Sequence, residues 1–438
     1  MSSRVAQARA HLRDPLYRTT YSLTLSVVGS GALGTVFWAL SSRLYDPEIV
    51  GVSGAAVAAL GFVTGVAGLY LDGGLLRFVP RAGEMTGRLI WGASAISAVT
   101  TAVAAGIFLA GLSLWAPDFA FMRHSVLAVL ITVAVAVATS LLLVQDAALT
   151  GLRRSGWVPI KNLALNALKL PLVGGLVAVT RYGILLAWVI PTVLAVVPIT
   201  HLLRRTLVPE HRRLTREGQE EVGAGPVARY VGGNYVGFLA TMAYRNLPPI
   251  LVLHELGAKQ SGFFYPPWVL ATTLSLLTVN LSSSLVVEGA FNRGELAIQT
   301  RKAALHAVRL LLPLAILLFL AAPYVLRIFG AAYAANGTTL LRLLAAGLIP
   351  ASICILAWGL ARVLDRVRTL IVSQCLMAVL MLGLSALLIP HLGIDGVGWA
   401  WLISQTIVAG ILVVTELRPA LLNGRNTERL ATTRGDEG

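Results

Sequence analysis

The residues of this chain best placed to do chemistry are polar side chains stranded in apolar runs. Lys169 is the clearest. It falls near the middle of the apolar stretch 159–179, with Asn162 and Asn166 seven and three residues before it. On a helix that spacing puts all three on one face. A Lys at the centre of a bilayer helix costs about 3 kcal/mol, so it faces a cavity or a partner. The chemistry on offer is binding, because an ammonium flanked by amides takes an anion. A second stripe, Asn234, Thr241 and Arg245, is spaced by seven and four and is followed by Asn246 and Pro248-Pro249. Arg245 stands toward the end of its run, within reach of either a cavity or the interface. Asp72, beside Gly73 and Gly74, is the candidate for coupling to a proton or sodium ion, or for pairing with Arg77. Asn280 with Ser282, Ser283 and Ser284 forms a polar patch suited to a cavity or to bonds between helices.

The elements that must carry these residues are membrane helices. Of the 438 residues, 56% are hydrophobic and 13% charged, and the mean hydropathy is +0.77. A soluble domain carries about 25% charged residues. A spanning helix needs roughly 20 apolar residues, and such stretches recur at 21–40, 52–74, 89–114, 125–146, 159–179, 183–203, 230–252, 263–287, 305–329, 338–361, 368–390 and 395–416. They are too long for barrel strands and lack a period of two. The fold class is therefore an all-α polytopic membrane protein of about twelve transmembrane helices. The two cysteines, Cys354 and Cys375, lie inside apolar runs and suit core packing. No motif calls for a metal or other cofactor.

The net charge of +15 would suit nucleic acid if it were clustered, but its distribution follows topology. With the N-terminus inside, 26 of the 35 Lys and Arg residues fall on the cytoplasmic side, Lys161 among them; five fall outside and four within spans. That is the positive-inside pattern. It places both termini in the cytoplasm and argues against a nucleic-acid role. The outer loops are short, which leaves no room for a soluble catalytic domain and argues against an enzyme.

The longest loop, 204–228, separates six helices from six. The halves echo one another. Gly183, Ala187 and Trp188 match Gly396, Ala400 and Trp401 at one shared offset, and Arg154 and Asn162 match Arg366 and Gln374 at an offset shorter by one. Leu44 to Gly51 resembles Leu256 to Gly262. The organisation expected is a cytoplasmic segment 1–20, an N-lobe 21–203, a linker 204–228, a C-lobe 229–416 and a cytoplasmic tail 417–438. Parallel repeats of this kind occur in transporters, with substrate held between the halves.

Several segments resemble a known family. The run Ser42-Arg43-Leu44-Tyr45-Asp46-Pro47-Glu48-Ile49-Val50-Gly51, followed by Leu71-Asp72-Gly73-Gly74-Leu75-Leu76-Arg77-Phe78, is similar to the first loop and second helix of polysaccharide-unit flippases of the Wzx type. Gln145 to Asn162, Gly262-Phe263-Phe264-Tyr265, Phe329-Gly330 through Leu341-Arg342-Leu343-Leu344, and Gly393-Ile394-Asp395-Gly396-Val397-Gly398-Trp399-Ala400 resemble later landmarks of that family in order. The wider group is the MATE-like exporter superfamily, also called MOP. The resemblance implies two six-helix lobes around a cavity that opens alternately to each side, with helices one, two, seven and eight at lateral portals.

Two departures bear on function. Drug exporters of the superfamily often use an acid in helix one, and residues 21–40 hold none. Flippase relatives often carry an Asp where Arg245-Asn246 stand here. The function expected is translocation of a polyprenyl-diphosphate-linked oligosaccharide across the bacterial cytoplasmic membrane for surface polysaccharide synthesis. The alternative is cation-coupled multidrug export. Membrane lipids are expected partners, and a polysaccharide polymerase or glycosyltransferases are candidate protein partners.

Overall fold

The computed structural model describes residues 15–115, 117–178, 182–214, 224–291, 296–364 and 366–418; side chains at 15–28 and across most of 276–310 lie outside the description. The main helices, in order, are α1 (Pro15–Leu44), α2 (Pro47–Ala67), α3 (Leu71–Phe78), α4 (Thr86–Ala110), α5 (Val126–Gly151), α6 (Trp157–Gly175), α7 (Gly183–Leu202), α8 (Ala224–Phe291), α9 (Leu296–Arg327), α10 (Ala331–Val363), α11 (Val367–Leu392) and α12 (Ile394–Leu412), with short helical pieces at Leu112–Trp115 and Val208–Leu214 between them. No strand occurs among the described residues. At 1.5 Å per residue, helices of this length cross a hydrocarbon core about 30 Å thick. Their outward faces are apolar: Val99 on α4 is 64% exposed and Leu320 on α9 is 65% exposed. In water such faces would aggregate; in lipid they are solvated. The chain is a multi-pass membrane protein.

Local sequence sets the breaks between helices. Ser125 caps α5, its hydroxyl accepting from Ala128 N–H at 3.1 Å. Pro47 opens α2, where a missing N–H costs nothing. Between α2 and α3, Leu69 (φ 51°) and Tyr70 (φ 57°) turn left-handed, so the second crossing is two helical pieces. Inside α8 the backbone leaves helical geometry at Gly257 (φ 78°, ψ 175°), a conformation open to glycine and closed to side chains. Gly257 thus divides α8 into two legs. With α2 and α3 taken as one crossing and α8 as two, the helices among the described residues match the twelve expected.

The chain divides into two compact units, Met1–Tyr265 and Pro266–Gly438. In the first, α1 packs on α6, α4 on α5, and α7 on α5 and α6. The first leg of α8 belongs here because it runs along α2 and α3. Tyr235 Oη donates to Val66 O at 2.7 Å, and Gly61 and Gly65 admit Asn246 and Met242 so closely that a Cβ would collide. At the far end, Gly51 of α2 abuts the backbone of Ala258, Ser261 and Gly262 in the second leg, and Gly262 abuts Pro47. Ser261 Oγ donates to Gly51 O at 3.3 Å. These are the two segments that match one another in sequence. In the second unit α10 packs on α9 and α12, and α12 on α11.

The sequence repeat is also a repeat of geometry. After α5, Leu152 N–H donates to Ala148 O and Arg154 N–H to Leu149 O, both at 2.9 Å. After α10, at the offset that relates Arg154 to Arg366, Leu364 N–H donates to Leu360 O at 3.0 Å and Arg366 N–H to Ala361 O at 2.8 Å. Each Arg then pairs with a Glu past the last helix of its half: Arg154 with Glu210, and Arg366 with Glu416 at 2.9 Å. A π-helical turn follows each last helix, Leu203–Leu207 after α7 and Val413–Leu417 after α12.

Candidate functional site

Lys169 lies in α6 with its side chain buried. Its Nζ sits 3.4 Å from the centroid of the Trp188 ring of α7 and donates to Asn166 Oδ1 at 3.3 Å. Asn166 in turn donates from Nδ2 to the Asn162 backbone carbonyl at 2.8 Å, while the Asn162 side chain bonds Asp146 of α5. Trp188 heads an aromatic chain: Phe37 lies 6.0 Å from it, Trp38 lies 5.3 Å from Phe37, and Tyr265 lies 4.5 Å from Trp38, all edge-on. One turn beyond Lys169, Tyr45 Oη donates to Val173 O at 2.9 Å, which ties the end of α1 to α6.

Among the described residues no carboxylate pairs with Lys169. A ring face and an amide oxygen solvate the ammonium but leave its charge uncancelled. An ammonium has three N–H donors and no acceptor, so capacity remains for an incoming anion. The equivalent position in the second half, at the same offset as Arg154 to Arg366, is Met381, whose sulfur receives the Ser404 hydroxyl at 3.7 Å. The equivalent of Trp188 is Trp401, whose ring meets Trp268 edge-on at 5.5 Å. At corresponding positions, then, one half carries a cation and the other a thioether.

The remaining candidates are placed less tightly. Asn234 donates to Tyr230 O at 2.8 Å and Thr241 to Gly237 O at 3.0 Å, each satisfied by its own helix. Arg245 is half-buried on the same leg of α8. No hydrogen bond or ion pair among the described residues joins it to Lys169. Asn280, with Ser282, Ser283 and Ser284, lies outside the described side chains.

Asp72 stands in the first turn of α3. Its carboxylate accepts from the Gly73 backbone N–H, an interaction favoured at a helix N-terminus. The pairing with Arg77 expected from the sequence is not formed, because the Arg77 guanidinium lies over the Tyr230 ring at 4.5 Å. Cation–π attraction competes with a carboxylate already held by its own helix.

Two further charged residues meet between α5 and α6. Lys161, counted from the sequence on the cytoplasmic side, lies within α6 and is buried. Its Nζ is 2.7 Å from Asp146 Oδ1 of α5, and the Asn162 side chain also bonds the Asp146 carboxylate. Asp146 escapes a reading of the sequence because it sits at the end of its apolar run, where an acid reads as a loop residue.

No family model matches the chain, and no curated protein matches it. Solved structures do. One is the inward-facing conformation of a multidrug resistance MATE family transporter of the MOP superfamily: TM-score 0.63, 17% identity, covering 94% of this chain and 96% of that one. A second is the Vibrio cholerae MATE transporter VcmN: TM-score 0.61, 15% identity, covering 94% and 98%. A third is a MOP superfamily transporter from Pyrococcus furiosus, described as having a binding pocket of reverse polarity that suggests a different function: TM-score 0.53, 15% identity, covering 95% and 97%. The chain has the fold of the MATE transporters over nearly its whole length.

Proposed function

We propose that the protein is an exporter of the MOP type that moves a lipid carrying a diphosphate-linked oligosaccharide from the inner to the outer leaflet of a bacterial cytoplasmic membrane. The observation that carries this reading is Lys169: a buried ammonium, positioned by Trp188 and Asn166, with no carboxylate against it among the described residues. Such a group attracts phosphate oxygen and repels a cationic drug. Alternating access needs no covalent chemistry, and the lipid tails stay in the bilayer while the headgroup crosses. Arg245, on the first leg of α8, is a second group for the diphosphate. The reverse-polarity pocket described for the Pyrococcus furiosus transporter supports the general idea that pocket charge varies within this fold.

The rival reading is multidrug export, which the descriptions of the structural neighbours favour. It predicts an essential acid facing a cationic cargo. α1 holds no acid at 21–40, which weighs against the arrangement common in drug exporters. The deciding experiment deletes the gene and analyses host lipids and surface polymer. Accumulated polyprenyl-diphosphate oligosaccharide, cleared by wild-type protein and not by Lys169→Met, supports the proposal. Unchanged lipids together with raised sensitivity to cationic dyes would replace it with the rival.

A further inference from the structure

The duplication provides an internal control for the buried pair Asp146–Lys161. The repeated turns after α5 and α10 fix the register between the halves, with Leu152 answering to Leu364 and Arg154 to Arg366. Carried back into the helices, that register sets Trp358 of α10 against Asp146, and Ser373 of α11 against Lys161. These two also bond each other: Trp358 Nε1 donates to Ser373 Oγ at 2.9 Å. The same bridge between neighbouring helices is therefore built twice, charged in the first half and neutral in the second.

The neutral copy shows that the fold does not require charge at this point. Nor does a buried ion pair explain itself by stability. The cost of desolvating two ions roughly cancels their attraction, and well-packed neutral replacements are often as stable or more so. The two partners also differ in access. The Lys161 side chain is 3% exposed and that of Asp146 is 27% exposed. The acid is the partner open at the surface of the helix packing, while the ammonium is locked against α5, where Leu142 O accepts its second hydrogen bond at 3.3 Å.

The surrounding charges do not interfere. α5 is packed by α2, α3, α4, α6 and α7. Asp72 of α3 is held by its own helix, Arg77 of α3 lies over Tyr230, and Arg88 of α4 leans on the Met85 sulfur at 3.6 Å. His201 near the end of α7 and Lys169 farther along α6 make no ion pair with either partner among the described residues. Beyond the end of α5, Arg154 is taken by Glu210, and Arg153 acts on His211. Lys161 is the charge that acts on Asp146, and Asp146 the charge that acts on Lys161.

We propose that Asp146–Lys161 is the proton-coupling site of this transporter, an inference that rests on the transport reading above. A proton taken from water onto Asp146 leaves a neutral acid beside a buried ammonium. The ionic part of the Lys161–Asp146 bond is then lost, leaving Lys161 neutral acceptors only, the acid's carbonyl oxygen and Leu142 O, and the hold of α5 on α6 weakens. Lys169 lies eight residues farther along α6, about 12 Å at 1.5 Å per residue. A shift of α6 against α5 therefore carries the anion site with it, and proton uptake is linked to cargo movement through one helix.

The test places nitroxide labels at the exposed positions Leu143→Cys and Ile160→Cys, on full-length protein with Cys354→Ser and Cys375→Ser, in lipid nanodiscs. The α5–α6 distance is followed between about pH 5 and pH 8. The expected result is a pH-dependent change in distance that vanishes in Asp146→Asn and in the double variant Asp146→Asn/Lys161→Gln, and that survives in Asp72→Asn. Each variant is checked for monodispersity, and the double variant retains a neutral bridge like that of the second half. A transition unchanged in the double variant, or its loss in Asp72→Asn alone, overturns the proposal, as does a label distance constant across the range. No cargo is needed for this readout. Failed glycolipid export with an intact transition would count against the proposed cargo and leave the coupling site standing.

Discussion

Replacing Lys169 by Met separates binding from folding in one substitution. A buried ammonium at the centre of a spanning helix costs about 3 kcal/mol. Against that, a desolvated cation on a Trp face returns about 2 kcal/mol, and the Asn166 bond about 1 kcal/mol. The terms nearly cancel, and Met is unbranched and of similar length, as it is at the equivalent Met381. Lys169→Met should therefore change stability by no more than about 1 kcal/mol, a few degrees in Tm. The cost to function is different. A charge-assisted bond to a phosphate oxygen contributes about 1.5–3 kcal/mol, so its loss weakens cargo binding about 10- to 150-fold. Thermal unfolding of the purified variant and clearance of radiolabelled polyprenyl-diphosphate oligosaccharide in the deletion host measure the two effects. Unimpaired clearance would refute the anion-site argument. A fall in Tm beyond about 10 °C would show that the cation is a structural keystone, and the cancellation above would be wrong.

Other residues give sharper contrasts. Arg366→Ala strands Glu416, which is 3% exposed, and should cost about 3–5 kcal/mol; the equivalent Arg154→Ala, in a pair whose two side chains are 46% and 42% exposed, should cost about 1 kcal/mol or less. Denaturation of the two variants side by side checks this, and equal losses would contradict it. Gly51→Ala or Gly262→Ala drives a methyl into backbone and should cost about 1–3 kcal/mol, whereas Gly34→Ala, with open space around it, should be silent in the same measurement. Tyr45→Phe removes the bond to Val173 O and should lower stability by about 1 kcal/mol, read as a small drop in Tm.

The helices are legible in the sequence because the bilayer imposes one requirement, a run of apolar residues of fixed length, that needs no knowledge of partners. The face shared by Asn162, Asn166 and Lys169 is legible for a similar reason: spacing along one helix fixes direction. What lies opposite that face is not. Trp188 as the seat of the Lys169 ammonium depends on how α6 meets α7, and no periodicity in either helix records it. Lys161 and Asp146 mislead together. Each stands near the end of an apolar run, where a charge normally reaches water, and their burial follows from the packing of α5 on α6. The match of Arg154 with Arg366 is visible as two letters at a fixed offset; that each caps the same turn and holds a glutamate emerges only from the backbone.

The meeting of Gly51 with the Ala258–Gly262 backbone, and of Gly262 with Pro47, has a consequence for what the chain is free to become. The contact is self-complementary: each segment touches in its partner the stretch that corresponds to itself. Two separate copies of a six-helix chain, docked by a twofold axis, make contacts of this kind. In such a homodimer every charge is present twice, and an ammonium or a buried ion pair placed in one copy is imposed on the other. A single continuous chain escapes that rule. It retains the reciprocal contact at its glycines while carrying Lys169 and Asp146–Lys161 in one half of the sequence only, with Met381 and Trp358–Ser373 as their uncharged counterparts.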